Sequence, residues 1–112
     1  MSELTITSTT TATRHVVTAA GALDHRSAAR LREAIAGVPL GCGHHLVLDL
    51  SSLAFCDSSG LTVFIGAHER AEAEQAAFSL VGPPPPVHKM LRLTGLDTVL
   101  TVLSKPAGLL HP

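Results

Sequence analysis

The apolar positions of the chain follow a two-residue period in some segments and a helical period in others. Five segments have the alternating, β-branched or continuous apolar pattern of strands: residues 4–10, 14–20, 46–50, 78–81 and 96–103. Three segments have the spacing and capping residues of helices: residues 24 or 27 to about 37, residues 57 or 58 to 75, and residues 87–94. The last proline of the run at 83–86 can open the third helix, because proline is accepted in a first helical turn.

The order of these segments predicts the fold class. Two strands followed by three helix-strand units favour one hairpin and then parallel strand pairs joined by right-handed crossovers. We therefore expect an α/β fold, a single mixed β-sheet with helices packed mainly on one face. The 112 residues suit one domain, with its core at about residues 4–103 and a tail at 104–112.

Composition and charge narrow the class of protein. Apolar residues make up 46% of the chain but include only three Phe, which predicts a largely aliphatic core. Eight Lys and Arg stand against nine Asp and Glu, so nucleic acid is not an expected direct partner. Cys42 and Cys56 form no Cys-x-x-Cys pair, and no apolar run approaches the roughly 20 residues of a membrane span. We expect a soluble cytoplasmic protein without membrane contact.

The segment DSSGL at residues 57–61 is the candidate site. An apolar strand gives way there to a helix start, so hydroxyls, a carboxylate and free amides meet at the positive end of a helix dipole. The simplest interpretation is that Asp57 or Ser58 is an N-cap worth about 1 kcal/mol. Gly60 weakens the first turn and hints at a contact surface, because glycine is tolerated where another backbone approaches closely.

The sequence gives little support to a catalytic or metal site. The nucleophile elbow requires Gly-x-Ser-x-Gly, which this segment lacks, and His25 and His88 are too scattered to define a triad with Ser59. On a strand, His44 and His45 point to opposite faces, so they do not predict a shared metal. The chain also lacks a nucleotide-binding glycine motif. We predict no catalytic residue, no metal and no cofactor, with any ATP bound by a partner.

Four motifs in order carry a family resemblance. They are GALD at residues 21–24, LVLDL at 46–50, FCDSSGL at 55–61 and PVHKMLRLTGL at 86–96. Together they resemble the STAS domain of bacterial anti-sigma factor antagonists. Three departures stand out: Ala22 where Glu is frequent in the family, Cys56 where a larger apolar residue is frequent, and Gln75-Ala76 where a Gly-Gly turn is frequent.

This resemblance implies a partner switch. The unphosphorylated domain binds an anti-sigma factor and thereby releases a sigma factor. The anti-sigma factor is itself a serine kinase that phosphorylates the domain with ATP, and a serine phosphatase resets it. The resemblance makes Ser59 the phosphorylation site and places Asp24, Asp57, Ser58, Ser59 and Gly60 in the partner-binding surface. The domain is then a binding protein and not an enzyme.

The charges near the site bear on how a phosphate would act. No Lys or Arg lies between Ala34 and Glu69, so no basic cluster close in sequence can grip a phosphate on Ser59. We therefore predict that phosphorylation blocks a docked partner directly, with little change in the fold of the domain.

A different class of function is compatible with the same resemblance. In it the domain is a constitutive scaffold, or a regulatory subunit of a sensory or transport assembly, and Ser59 is chiefly part of a helix cap. Cys56, directly before Asp57, suggests a redox switch, but we expect a small buried apolar residue there.

Overall fold

Strands and helices alternate along residues 3–104, the part of the chain that the computed structural model describes. The strands are β1 (Thr5–Thr11), β2 (Arg14–Leu23), β3 (His45–Cys56), β4 (Ala77–Val81) and β5 (Thr101–Leu103). The helices are α1 (His25–Ala36), α2 (Ser58–Ala73) and α3 (Pro85–Leu93). The order of elements is the one that the hydrophobic pattern predicts, and most of the predicted tail at 104–112 lies outside the described residues.

One five-stranded sheet contains all the strands, in the spatial order β1-β2-β3-β4-β5. β1 is antiparallel to β2, and the other three pairs are parallel. Each of the three crossovers advances by one strand in the same direction across the sheet. With right-handed connections, such crossovers place all three helices on one face. The core agrees, because it joins alternate residues of β3, Leu46, Leu48 and Leu50, to apolar residues of all three helices. The predicted mixed α/β sheet with helices mainly on one face is confirmed.

Each helix contributes a fully buried side chain to this core. They are Leu31 of α1, Phe64 of α2 and Leu91 of α3. Complete burial of such a side chain contributes about 1.5–3 kcal/mol. No helix within residues 3–104 is long and apolar enough to cross a membrane.

β2 and β3 continue beyond the predicted strand ends. Two register shifts, one near Ala20 and one between Gly21 and Ala22, each insert one extra residue into β3. Gly21 has a φ of +106°, and a Cβ there would collide with the backbone carbonyl of Glu3. The glycine that the pattern marks as a strand end instead lets β2 bend and continue to Leu23.

α3 begins inside the proline run, two residues before its predicted start. The first amides of a helix have no intrahelical acceptor, so a residue without an amide proton loses nothing there. Pro85 and Pro86 both lie in the first turn, and Pro84 is the N-cap. The helix therefore uses two of the prolines where the sequence pattern predicts one.

The predicted strand over residues 96–103 is wrong in its first half. Gly95, with a φ of +77°, reverses the chain after α3. A 3₁₀ turn follows at Leu96–Thr98, in which the amide of Thr98 donates to the carbonyl of Gly95 at 3.1 Å and the amide of Val99 to that of Leu96 at 3.0 Å. Only the last three residues of the predicted segment form β5 and pair with β4.

Gln75 has a backbone conformation that usually favours glycine. It follows the C-cap of α2 with a φ of +58°, in the left-handed region. That region costs roughly 1–2 kcal/mol for a residue with a Cβ. Gln75 therefore adopts a backbone conformation that favours glycine, at a position where the family resemblance leads us to expect a Gly-Gly turn.

A chain of hydrogen-bonded side chains lies at the edge of the sheet where the parallel strands begin. Nε2 of His15 lies 2.9 Å from Nδ1 of His44, and Nδ1 of His15 lies 3.1 Å from the hydroxyl oxygen of Thr10. His15 is almost fully buried. Its burial lowers its pKa, and His44 and Arg70 lower it further. At most one of the two imidazoles can be protonated without loss of the bond between them.

We predict that His15 makes the domain less stable in mild acid. Its pKa in the folded state lies below the ordinary value of 6.5, so between these two values the unfolded chain binds more protons. The free energy of unfolding should fall as the pH drops from about 6.5 through the lowered pKa, by at most about 1.4 kcal/mol per pH unit for this group. Urea unfolding at a series of pH values should give a shallower slope for His15→Gln than for the wild type.

His88→Gln is the matched control, because His88 is an exposed residue of α3. This variant should keep the pH slope of the wild type. Equal slopes for the wild type and His15→Gln would contradict the prediction.

Candidate functional site

Two helix N-termini lie side by side where β2 and β3 end. Leu23, the last residue of β2, pairs with Cys56, the last residue of β3. The next residue of each strand is a helix N-cap, Asp24 for α1 and Asp57 for α2. The backbone amide of Asp57 donates to the carbonyl of Leu23 at 3.2 Å. The fold thus brings Asp24 beside the DSSGL segment.

The side chain of Asp24 caps α1. Its Oδ1 accepts the backbone amides of Arg26 and Ser27, both at 3.0 Å. The hydroxyl oxygen of Ser27 accepts the amide of Asp24 at 2.9 Å, which completes a capping box. The hydrogen bond from the Ser27 amide is the main cause that holds the pKa of the Asp24 carboxyl below its usual value. Asp24 therefore adds a fixed negative charge to this edge of the sheet.

The side chain of Asp57 caps α2 and leaves the hydroxyl of Ser59 free. Oδ1 of Asp57 accepts the backbone amide of Ser59 at 2.8 Å, so the N-cap interpretation is confirmed for Asp57. Ser58 is exposed and Ser59 is half-buried. The Ser59 hydroxyl makes no hydrogen bond to any other residue of the described chain.

Gly60 lets the first turn of α2 lie directly on the strand ends. A Cβ on Gly60 would lie 2.6 Å from Sγ of Cys56 and 2.7 Å from Cδ2 of Leu23, closer than real Cβ atoms approach. Gly60 is buried. The close approach that this glycine suggests is therefore made within the chain, by Cys56 and Leu23.

Cys56 is a buried thiol under the same turn. Burial raises its pKa to about 11, and the negative charge of Asp57 contributes to the shift. Its Sγ donates to the carbonyl of Asp57 at 3.4 Å. At neutral pH the group is a protonated thiol, which is a poor nucleophile and resists oxidation. The prediction of a small buried apolar residue is confirmed.

The extra residues in β3 turn Phe55 to the surface. Strict alternation from Leu53 would bury Phe55. The second register shift leaves Ala54 unpaired between them, so Leu53 and Cys56 are buried whereas Phe55 is 52% exposed. Sequence periodicity misplaces this side chain, because the shift depends on how β3 pairs with β2.

A cavity of about 330 Å³ lies between α1 and α2 beside Ser59. Its lining residues are His25, Ala28, Ala29 and Arg32 of α1 and Ser59 and Thr62 of α2. Arg32 lies just before the stretch of sequence that has no Lys or Arg. A search for basic residues close to Ser59 in sequence does not find Arg32, because β3 separates α1 from α2 along the chain. In the fold the two helices are neighbours. The expectation concerned a basic cluster close in sequence; the fold adds a single arginine from another helix to the cavity that Ser59 lines.

Within residues 3–104, no base is hydrogen-bonded to the Ser59 hydroxyl, and no cluster of metal-binding side chains is found. His25 shares the cavity with Ser59, but no hydrogen bond joins them, and activation of a serine requires such a bond to a base. Within residues 3–104, no group of three or more His, Cys, Asp or Glu side chains is placed to hold a metal ion. His44 and His45 bond to different partners on different strands, in agreement with their predicted separation.

Comparison with known proteins gives a family and a close relative in sequence. The family model described as "Mlab, STAS domain" matches residues 6–104. The anti-sigma F factor antagonist of Paenibacillus polymyxa is 30% identical over 88 residues, which cover 78% of this chain and 75% of that protein.

Solved structures share the fold. The crystal structure of an anti-sigma factor antagonist from Mycobacterium paratuberculosis has a TM-score of 0.78 at 28% identity, covering 90% of this chain and 86% of that one. SpoIIAA of Bacillus, in its unphosphorylated and phosphorylated forms, has TM-scores of 0.72 and 0.68 at 23% and 22% identity. These alignments cover 88% and 89% of this chain and 87% and 90% of the SpoIIAA chains.

We predict opposite effects for the same substitution at two glycines of α2. Gly60→Ala should lower the free energy of unfolding by about 1–3 kcal/mol, because the new methyl group overlaps Cys56 and Leu23. Gly66→Ala should raise it by about 0.5–1 kcal/mol, because a Cβ there meets nothing within 4 Å and alanine favours the helix. Urea unfolding measures both changes, and a change of the same sign in both variants would refute the packing argument.

Proposed function

The chain belongs to the STAS domain family of anti-sigma factor antagonists, and from this premise we propose that it binds an anti-sigma factor and that phosphorylation of Ser59 ends this binding. The unphosphorylated domain occupies the anti-sigma factor and thereby releases a sigma factor. The observation that carries the proposal is the free, half-buried hydroxyl of Ser59 at an edge of the sheet that also exposes Phe55 and Ser58.

The proposed docking surface combines an exposed aromatic residue with polar residues at one edge of the sheet. Phe55 is exposed two residues before Asp57, and Ser58 and the N-caps Asp24 and Asp57 follow the ends of β2 and β3. Aromatic residues at the centre of an interface contribute most to binding, whereas polar residues at its border set orientation and specificity. This composition suits a partner that binds and dissociates.

A phosphate at Ser59 would oppose docking by charge and by hydration. It adds about −1.5 to −2 charges next to the carboxylate of Asp57. A bound partner would have to remove water from this group, and an unpaired charge is costly to desolvate. Binding loss therefore requires no change in the fold of the domain.

The phosphoryl donor in this proposal is ATP bound by the anti-sigma factor, which acts as a serine kinase. This chain carries no nucleotide-binding glycine motif of its own. A serine phosphatase returns the domain to its binding state. The domain then works in the cytoplasm as a binding protein, without catalysis, metal or cofactor and without direct contact to nucleic acid or membrane.

We predict that Ser59 is the single acceptor of this kinase. Incubation of the wild type with the anti-sigma factor encoded in the same genome and with Mg-ATP should add the mass of one phosphoryl group to the intact protein. Ser59→Ala should gain no mass. Ser58→Ala, which removes the adjacent exposed hydroxyl, should be modified like the wild type and is the matched control.

Modification of Ser59→Ala would assign the phosphate to another residue. A wild-type domain that binds the anti-sigma factor but is never modified would favour the alternative of a constitutive scaffold or regulatory subunit.

We further predict that Phe55 is a central contact of the anti-sigma factor. Phe55→Ala should weaken binding at least about fivefold, because truncation of a central aromatic residue costs more than about 1 kcal/mol. Leu93→Ala is the matched control, because Leu93 is 76% exposed at the other end of the helical layer. Isothermal titration of both variants measures the two dissociation constants. Equal values for Phe55→Ala and Leu93→Ala would remove Phe55 from the interface.

A further inference from the structure

We propose that Arg32 of α1 is an intramolecular anion site that holds the phosphate of phosphorylated Ser59 across the cleft between α1 and α2. The inference rests on the modification of Ser59 proposed above. It changes the consequence of that modification, because the phosphate then has a binding site on its own domain in addition to an effect on the partner.

The cleft has the room and the position for such a contact. Arg32 and Ser59 line the same cavity of about 330 Å³ from opposite helices. Ala28 and Ala29 of α1 are small, which leaves space between the helices above the core. A phosphoryl group on Ser59 would therefore lie beside a depression that Arg32 lines from the other helix.

The guanidinium of Arg32 has no polar partner among the described residues. Its side chain is exposed, and within residues 3–104 it forms no hydrogen bond and no ion pair. Arg70, which lines the continuation of the same cleft, differs: its guanidinium donates to the carbonyls of Ile35 and Val38, both at 2.6 Å. Of these two arginines, Arg32 has its donors available, and a guanidinium can bind a phosphate through two parallel hydrogen bonds.

The start of α2 has few donors left for a phosphate. The amide of Ser59 already donates to the carboxylate of Asp57 at 2.8 Å, and the amide of Gly60 donates to the Asp57 carbonyl at 3.0 Å. The carboxylate of Asp57 also repels a phosphate. A cation from another helix would therefore add to the binding, and Arg32 and His25 of α1 line the same cavity as Ser59.

The test installs phosphoserine at position 59 during protein synthesis, so that no kinase is required. The second pKa of the phosphate, ordinarily about 6, is measured by phosphorus NMR as a function of pH. An adjacent guanidinium favours the dianion and lowers this pKa. We expect a lowered midpoint in the wild type and a return to the ordinary value in Arg32→Gln, a shift of several tenths of a pH unit.

Arg30→Gln is the matched control. Arg30 belongs to the same helix and carries the same charge, but it lines a different depression, beside Asp24 and Arg26. This variant should keep the lowered midpoint of the wild type. If it moves the midpoint as far as Arg32→Gln does, the effect is one of net charge and the anion site is refuted.

Arg32→Lys keeps the charge but loses the bidentate geometry, and it should give an intermediate midpoint. If Arg32→Gln lowers the urea midpoint of the unphosphorylated domain, and is therefore destabilised, the proposal is tested with Arg32→Lys instead. Equal phosphate midpoints in the wild type, Arg32→Gln and Arg32→Lys would overturn the proposal. These outcomes are independent of the kinase assay, since failure of the kinase to modify Ser59 would refute the proposed function and leave the NMR result unaffected.

Discussion

One steric constraint determines where Ser59 lies, namely the direct contact of Gly60 with the ends of β2 and β3. Without a Cβ at this position, α2 starts within contact distance of Cys56 and Leu23. The Asp57 amide then reaches the Leu23 carbonyl, and the Asp57 carboxylate reaches the Ser59 amide. These bonds fix the backbone of Ser59 without using its hydroxyl. The backbone of Ser59 is thus held by hydrogen bonds, while its hydroxyl makes none within residues 3–104.

The cleft beside Ser59 has a fixed width because α1 and α2 are joined near both of its ends. At one end, the turn before α2 is bonded to the end of β2, from which α1 starts. At the other end, Arg70 donates to the carbonyls of Ile35 and Val38, at the end of α1. Carbonyls at a helix C-terminus have no intrahelical donor and attract a cation. Two arginines on this cleft therefore have different roles: Arg70 holds the helices together, and Arg32 remains available.

Sequence patterns predict those features that depend on one element alone. Each helix and strand has one buried face, so its periodicity is visible, and Asp24 and Asp57 indicate the starts of two helices because their caps are local. Phe55 escapes prediction because its orientation follows from a register shift between two strands. Arg32 escapes because only the packing of α1 on α2 brings it to the site. The features missed at the site are those that require two elements at once.

The two effects of a phosphate on Ser59 act on different states of the same equilibrium. In the complex, the phosphate meets a partner surface that cannot hydrate it, which raises the free energy of the bound state. In the free domain, Arg32 lies across the cavity and lowers the free energy of the unbound state. Because the binding constant depends on the difference between the states, the contact with Arg32 weakens binding only to the extent that docking of the partner breaks it. Repulsion and desolvation at the interface therefore remain the main force of the switch, and the ion pair adds to them where the partner covers the cleft between α1 and α2.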